Sequence, residues 1–295
     1  MPVASVVITT YNRSHLLPRA IESAQNAGAD LEVIVVDDAS TDDTPELCSR
    51  LSNIRYVRLP TNGGLARARN VGITESSGEY ISFLDDDDLR LPGSIDQQLR
   101  ILENTPDSAF CYAQVLLSDA QTQLLTGQLY PSCCPQGDVF WQLLEYNFIP
   151  VLSVLARKSS LLAVGCFNPE LKLVEDWDMW LRLSEVFPAT AIRAPVAIHR
   201  KATAISDQMC SNSSDLCLYS LQVQQLALNR TRAQTGTRAQ RRQVRKKLLK
   251  GSFELLMTEA RAAIKERNAR AATARVWQAF RFCSWPNSNK NGASN

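Results

Sequence analysis

Tyr80-Ile81-Ser82-Phe83-Leu84-Asp85-Asp86-Asp87-Asp88 joins a short apolar run to four consecutive aspartates. The apolar part has the length and composition of a buried strand, and the acids mark where it leaves the core. Upstream, the same grammar recurs. Val3–Thr9 is β-branched and apolar on both faces, which suits a buried parallel strand. Glu32–Val36 is a second such run and stops at Asp37-Asp38, and Ile54–Leu59 is a third. Between them, Leu16–Ala27, Thr44–Leu51 and Leu65–Ser76 carry helical patterning, with Ser40–Asp43 as cap chemistry before the second helix. Strands alternating with helices through short connections predict an α/β fold with a doubly wound sheet.

Ligands of such sheets lie beyond the carboxyl ends of the strands. Polar residues fall at three of those ends: Thr9, Thr10, Tyr11 and Asn12; Asp37 and Asp38; and Asp85 to Asp88. One crevice should therefore collect them. The middle of the chain is less regular. Strands are expected at Phe110–Leu117, Val151–Arg157 and Ala194–Ile198, and helices at Gly137–Tyr146, Ser159–Val164 and Glu175–Phe187. From about Asp215 the composition turns to Ala, Leu, Gln and Arg in long helical patterns. Residues 287–295 are Asn/Ser/Gly-rich, a disordered tail by composition.

Bulk properties set bounds. The 295 residues are 45% hydrophobic and 21% charged, with a net charge of +2, which is ordinary for a soluble globular protein. Eight cysteines form no C-x-x-C pair and only two histidines are present, which argues against a structural zinc site and for a reducing compartment. Met1–Ser5 lacks the basic and apolar regions of a signal peptide, and no run of about 18 apolar residues suggests a membrane span. The expected location is cytoplasmic, with peripheral contact at the inner membrane face as an option.

Four adjacent carboxylates repel one another and raise one another's pKa unless a cation neutralises them. Hard oxygen donors favour Mg²⁺ or Mn²⁺. If strand alternation persists through the cluster, Asp85 and Asp87 point one way and Asp86 and Asp88 the other. The plainer alternative is a solvated acidic turn leading to Pro92-Gly93.

Five segments, in this order and spacing, resemble a family 2 glycosyltransferase with the GT-A fold. They are Ser5–Arg13, Val33–Thr44, Asn62–Gly72 (NGGLARARNVG), Gly78–Asp88 and Glu175–Arg182 (EDWDMWLR). The resemblance spans roughly residues 3 to 185. It implies a mostly parallel sheet with flanking helices and a domain over 1–214 with a nucleotide-sugar-binding half (1–109) and an acceptor half (110–214), after which composition puts a helical basic extension over 215–286. It further implies that Thr9 and Tyr11 cradle the nucleotide base, that Asp38 accepts a hydrogen bond from it with Asp37 alongside, and that Arg69 and Arg67 face the diphosphate. Asp85 and Asp87 match a D-x-D pair with Asp86 between them. Asp87 is the first choice as metal ligand, joined by Asp85 and His199, and Asp176 matches the general base. The implied reaction is non-processive and inverting. It uses Mn²⁺ or Mg²⁺, takes a nucleotide-diphosphate sugar as donor and a hydroxyl-bearing glycan or lipid-linked acceptor, and serves bacterial surface glycan synthesis.

The sequence departs from the wider pattern. The Q-x-x-R-W block and membrane helices of processive synthases are absent, Asp86 replaces a small residue, and Gly165-Cys166-Phe167-Asn168 replaces Gly-Gly-Phe-Asp. Trp177 and Trp180 read as core residues ahead of sugar platforms. Two other functions remain: a Mg²⁺-dependent sugar nucleotidyltransferase and a non-catalytic nucleotide-sugar-binding protein. The lack of G-x-G-x-x-G after the first strand disfavours an NAD enzyme. Arg230–Lys250 holds nine Lys/Arg and no acid. It suits either a solvated helix face packing Leu248, Leu249, Phe253, Leu255 and Leu256 on the catalytic domain, or a membrane surface reached through residues 230–264. No nucleic-acid module accompanies it.

Overall fold

A computed structural model describes residues 2–119, 124–200, 213–265 and 267–283. The expected tail at 287–295 lies outside them. The chain divides into two compact units, Met1–Ser211 and Asn212–Asn295.

The first unit is built on one mixed sheet. Its strands are β1 (Ala4–Thr10), β2 (Leu31–Asp37), β3 (Arg55–Arg58), β4 (Tyr80–Asp85), β5 (Leu89–Arg90), β6 (Phe110–Ser118), β7 (Leu124–Tyr130), β8 (Leu155–Arg157) and β9 (Ala189–Arg200), in the order β3-β2-β1-β4-β8-β6-β9-β5, with β7 on β6. β1, β2, β3 and β4 pair in parallel, as do β6 and β9, whereas β5, β7 and β8 run antiparallel to their neighbours. The sheet is continuous across residue 109, because β8 joins β4 to β6.

Every residue of β1 is buried, as a strand covered on both faces requires. Helix α1 (Leu17–Gln25) carries Pro18 in its first turn and buries Leu17, Ala20, Ile21 and Ala24, one face at helical spacing. Helices α2 (Thr44–Ser49) and α3 (Leu65–Glu75) follow β2 and β3. Gly72 lets α3 press onto β1, since a Cβ there would lie 2.2 Å from Val7 Cγ1.

Three elements escape the sequence pattern. β5 is two residues long, β7 is a strand paired to β6 off the main strand order, and α4 (Ser94–Glu103) begins directly after Pro92-Gly93, which reads as loop punctuation. Gly93 sits at φ +66° and caps that helix. The strand expected at Val151–Arg157 is split. Pro150 leads into a 3₁₀ turn at Val151–Ser153, with the Ser153 amide and hydroxyl both donating to Pro150 O, and only Leu155–Arg157 joins the sheet. Helices α5 (Phe140–Glu145), α6 (Lys158–Ala163) and α7 (Glu175–Val186) fall where periodicity puts them.

The second unit is helical: α8 (Ser213–Leu228), α9 (Thr231–Thr235), α10 (Arg238–Lys265) and α11 (Ala269–Cys283). Phe253 and Leu256 of α10 pack with Cys217 and Leu221 of α8, so these apolar residues meet a partner inside the helical unit. The side chains of Leu248 and Leu255 lie outside the described residues. No described helix is long and apolar enough to cross a membrane.

Candidate active site

Parallel register brings the predicted strand ends together. Thr9 lies opposite Asp85 and Thr10 opposite Asp37, and the Asp38 amide donates to Thr10 O at 2.9 Å. Asn12, at φ +54°, ties the two loops: its side-chain oxygen accepts from the Thr41 amide at 2.7 Å, and its own amide donates to Ser40 Oγ at 2.9 Å. Tyr11 is left 45% exposed at the mouth.

The two acids ending β2 have different surroundings. Asp37 is fully buried and accepts from the Ser40 amide at 2.8 Å and the Tyr56 hydroxyl at 2.6 Å. Asp38 accepts from the Gly63 and Gly64 amides, each at 2.7 Å, one on each oxygen. Asp38 thereby holds the glycine loop that opens α3. Arg67 lies on the exposed side of that helix, next to Gly63.

Strand alternation does not run through the aspartate cluster. β4 ends at Asp85, and the chain turns, with the Asp88 amide donating to Asp85 O at 3.1 Å. Each carboxylate therefore meets a different set of partners, with Arg13 and Arg200 each shared between two of them. Asp85 accepts from Arg69 Nη2 at 2.7 Å and Thr9 Oγ1 at 3.3 Å, and its side chain stays 27% exposed. Asp86 is buried against Thr10 Oγ1 at 2.8 Å and Arg13 Nη1 at 3.0 Å. Asp87 receives Arg13 Nη1 at 3.3 Å and Arg200 Nη2 at 3.0 Å. Asp88 receives the Arg200 amide at 2.8 Å and faces His199 Nδ1 at 3.2 Å. β5 makes this possible, because its ladder with β9 sets Leu89 opposite Ile198 and delivers His199 and Arg200 to the turn.

Burial pushes the Asp86 carboxyl up to about 7, more than Arg13 pulls it down. Burial also acts to lower the His199 pKa, but the Asp88 carboxylate outweighs it and raises the imidazole to about 9. Arg13, Arg69, Arg200 and His199 thus counter the four aspartates from within the fold. These partners offset part of the repulsion, yet Asp86 and Asp88 still sit above the ordinary carboxylate range, by burial first and with Asp87 adding to it.

Among the described residues, no three His, Cys, Asp or Glu side chains gather as a ready metal cage. The donor set still fits a metal held jointly with phosphate, since Mg²⁺-type ions commonly take one or two carboxylates and complete their shell with phosphate and water. Asp85 and Asp87 would supply such oxygens, alongside their arginine partners. The Asp88–His199 pair has the form of a carboxylate that orients a ligating imidazole, whose Nε2 would be the donor.

The opposite wall is the start of α7, where Glu175, Asp176 and Asp178 occupy the first turn, favoured by the helix dipole. Val174 enters at φ +56°. Arg69, only 2% exposed, donates Nη1 to Glu175 while holding Asp85 with Nη2, so a guanidinium first read as facing a diphosphate is occupied by two acids. Asn70 clamps the Phe167 backbone with two hydrogen bonds of 2.8 Å, and Arg69 lies over the Phe167 ring at 5.6 Å. Those contacts fix α3 against the segment leading into α7.

Asp176 accepts from the Trp177 amide at 2.7 Å and from Asn147 Nδ2 at 3.2 Å. Burial raises its pKa, Glu175 adds to this and Arg69 opposes it, with a result of about 7. Trp177 and Trp180 turn inward, donating to Leu143 O at 2.7 Å and Ile149 O at 3.2 Å. Arg13, Arg200 and Asn147 carry no site role in the sequence reading. Arg13 was visible beside Asn12, whereas Arg200 and Asn147 depend on contacts made far along the chain.

The family model described as glycosyl transferase family 2 matches residues 5–160. An uncharacterized glycosyltransferase of Haemophilus influenzae is 29% identical over 211 residues, 68% of this chain and 70% of that protein. YwdF of Bacillus subtilis, also named an uncharacterized glycosyltransferase, is 28% identical over 72% of this chain and 78% of its own length. A Rickettsia typhi relative is 30% identical, with 61% of its length matched. Among solved structures, S. aureus TarS superposes with a TM-score of 0.63 at 17% identity, over 95% of this chain and 54% of TarS. TarS 1–349 in complex with UDP-GlcNAc gives 0.58 at 17% identity, over 95% and 92% of the two chains. The likeness identifies the fold as that of TarS, of GT-A type.

Proposed function

Because this chain belongs to glycosyl transferase family 2, we propose that it moves a sugar from a nucleotide-diphosphate donor to a hydroxyl acceptor with inversion. The observation that carries this reading is Arg69, which joins Asp85 on the donor side to Glu175, the neighbour of Asp176, on the acceptor side. Donor residues lie mainly in 1–109 and acceptor residues in 110–214. UDP-sugars are the first donors to try, since TarS, of the same fold, is described in complex with UDP and UDP-GlcNAc.

In the proposed reaction the acceptor oxygen attacks the anomeric carbon as the bond from that carbon to the diphosphate breaks. Asp176 takes the hydroxyl proton, and a pKa near neutrality suits a general base. Thr9, Tyr11 and Asp38 line the nucleotide side, Asp37 holding the loop beneath them. Asp86 and Arg13 brace the acidic turn. A divalent metal, Mn²⁺ or Mg²⁺, would counter charge on the departing diphosphate, held by Asp85 and Asp87 together with phosphate oxygens, His199 Nε2 joining them only on giving up its proton.

The product context we assign is a bacterial surface glycan made non-processively. The exposed basic residues of α10, among them Arg242, Lys246, Lys247 and Lys250, suit contact with an anionic membrane surface carrying a lipid-linked acceptor. Thermal-shift screening of UDP-, GDP- and dTDP-sugars, with and without Mn²⁺, tests the donor class. Stabilisation by a nucleoside triphosphate and by no sugar diphosphate would instead favour a nucleotidyltransferase. Retained anomeric configuration in the product, read by NMR, would exclude inversion.

A further inference from the structure

Asn147, which donates to Asp176, is flanked by two tyrosines that are exposed and yet anchored. Tyr130, at the end of β7, is 37% exposed, and its hydroxyl donates to Asn147 O at 2.6 Å. Tyr146, at the end of α5, is 51% exposed, and its ring meets Phe148 edge-on at 5.5 Å. Asn147 follows Tyr146 directly in the chain. Its side-chain oxygen accepts from the Ile149 amide at 3.2 Å, which fixes the amide orientation and aims Nδ2 at Asp176 Oδ2. The Tyr130 hydroxyl is raised to about 12, first by burial, then by Tyr146 and Asp176.

Single exposed aromatics are ordinary on a protein surface. Two aromatics held in place beside Asn147, the hydrogen-bond partner of Asp176, are different. A tyrosine ring offers an apolar face to the C–H side of a sugar and a hydroxyl to its polar rim. A rigid ring also loses little entropy on binding. We propose that Tyr130 and Tyr146 form the acceptor subsite, and that its occupant is a pyranose ring of a glycan acceptor, seated with one hydroxyl toward Asp176. The inference rests on the reading of Asp176 as general base and names the class of acceptor it serves. The occupant follows from continuity with that base: whatever sits on these rings presents the group that Asp176 deprotonates, and a hydroxyl ringed by C–H surface is a sugar's chemistry.

The test is saturation-transfer-difference NMR on the full chain, with UDP and MnCl₂ present and methyl glycosides of glucose, galactose, N-acetylglucosamine and rhamnose as probes. At least one glycoside should receive saturation from the wild type. The signal should fall at least fivefold in Tyr146→Ala and Tyr130→Ala and persist in Tyr146→Phe, with circular dichroism reporting that each variant is folded. No transfer to any glycoside, or undiminished transfer in both folded alanine variants, overturns the subsite. Failure of the base reading looks different: Asp176→Asn would then keep turnover while the tyrosine variants still lose the glycoside signal.

Discussion

Glu175 and Arg69 form a buried, hydrogen-bonded ion pair across 106 residues of chain. The same guanidinium reaches Asp85, so the end of β4 and the start of α7 share one cation. Lysine offers a point charge in place of a planar fork and cannot serve both acids in the same way. Arg69→Gln leaves two acids without their partner, and loss of one member of a buried pair costs about 3–5 kcal/mol. Urea unfolding should show that loss as a lower midpoint. Arg69→Lys should restore part of the stability and little of the turnover.

The pH dependence follows from Asp176. Its carboxyl is raised from 3.8 to about 7, by burial first and by Glu175 next. A general base works deprotonated, so kcat/KM should climb with pH and level off above a midpoint near 7. The stability contribution has the opposite slope. The folded state holds the proton more tightly than the unfolded chain, so this group's contribution falls as pH rises from about 4 to 7. Asp176→Asn should remove the limb and cost about 10²–10⁴-fold in turnover. A pH profile of unchanged shape in a variant that still turns over would show that another group titrates.

Asp87→Ala should abolish metal-dependent turnover, and Asp85→Asn should raise the Mn²⁺ concentration needed for half-maximal rate. Asp86→Asn should be milder. Asp86 is buried on Thr10 and Arg13 with its pKa near 7, so a neutral amide resembles a form it already populates. Mn²⁺ titrations of initial rate separate the three. Equal, small effects at Asp86 and Asp87 would place the metal elsewhere.

Gly72→Ala tests the packing of α3. The added methyl would sit 2.2 Å from Val7 Cγ1 on a fully buried strand, so helix or strand must shift. Overpacking of this kind costs about 1–3 kcal/mol. A lowered melting temperature is expected, together with weaker donor binding, because the next-but-two residue upstream is Arg69.

Strand β1, strand β2, strand β4 and the helices between them were legible because burial writes a local signal. A strand covered on both faces has to be apolar throughout, and its end has to turn polar where it meets solvent. That pattern alone read out the α/β class and a crevice at the strand ends with Asp38 and Asp85 beside it, whereas Asp176 came only from the resemblance to family 2 glycosyltransferases. The tertiary structure decided how those acids are balanced. β5 is too short to leave a pattern, yet its pairing with β9 brings His199 and Arg200 to Asp88 and Asp87. Arg69 reaches Glu175 across the crevice, and Asn147 reaches Asp176 because α5 packs against α7. Four adjacent aspartates by themselves called for a cation. The fold supplies three arginines and a histidine from distant positions, and charge pairing at that separation leaves no trace in the spacing of residues.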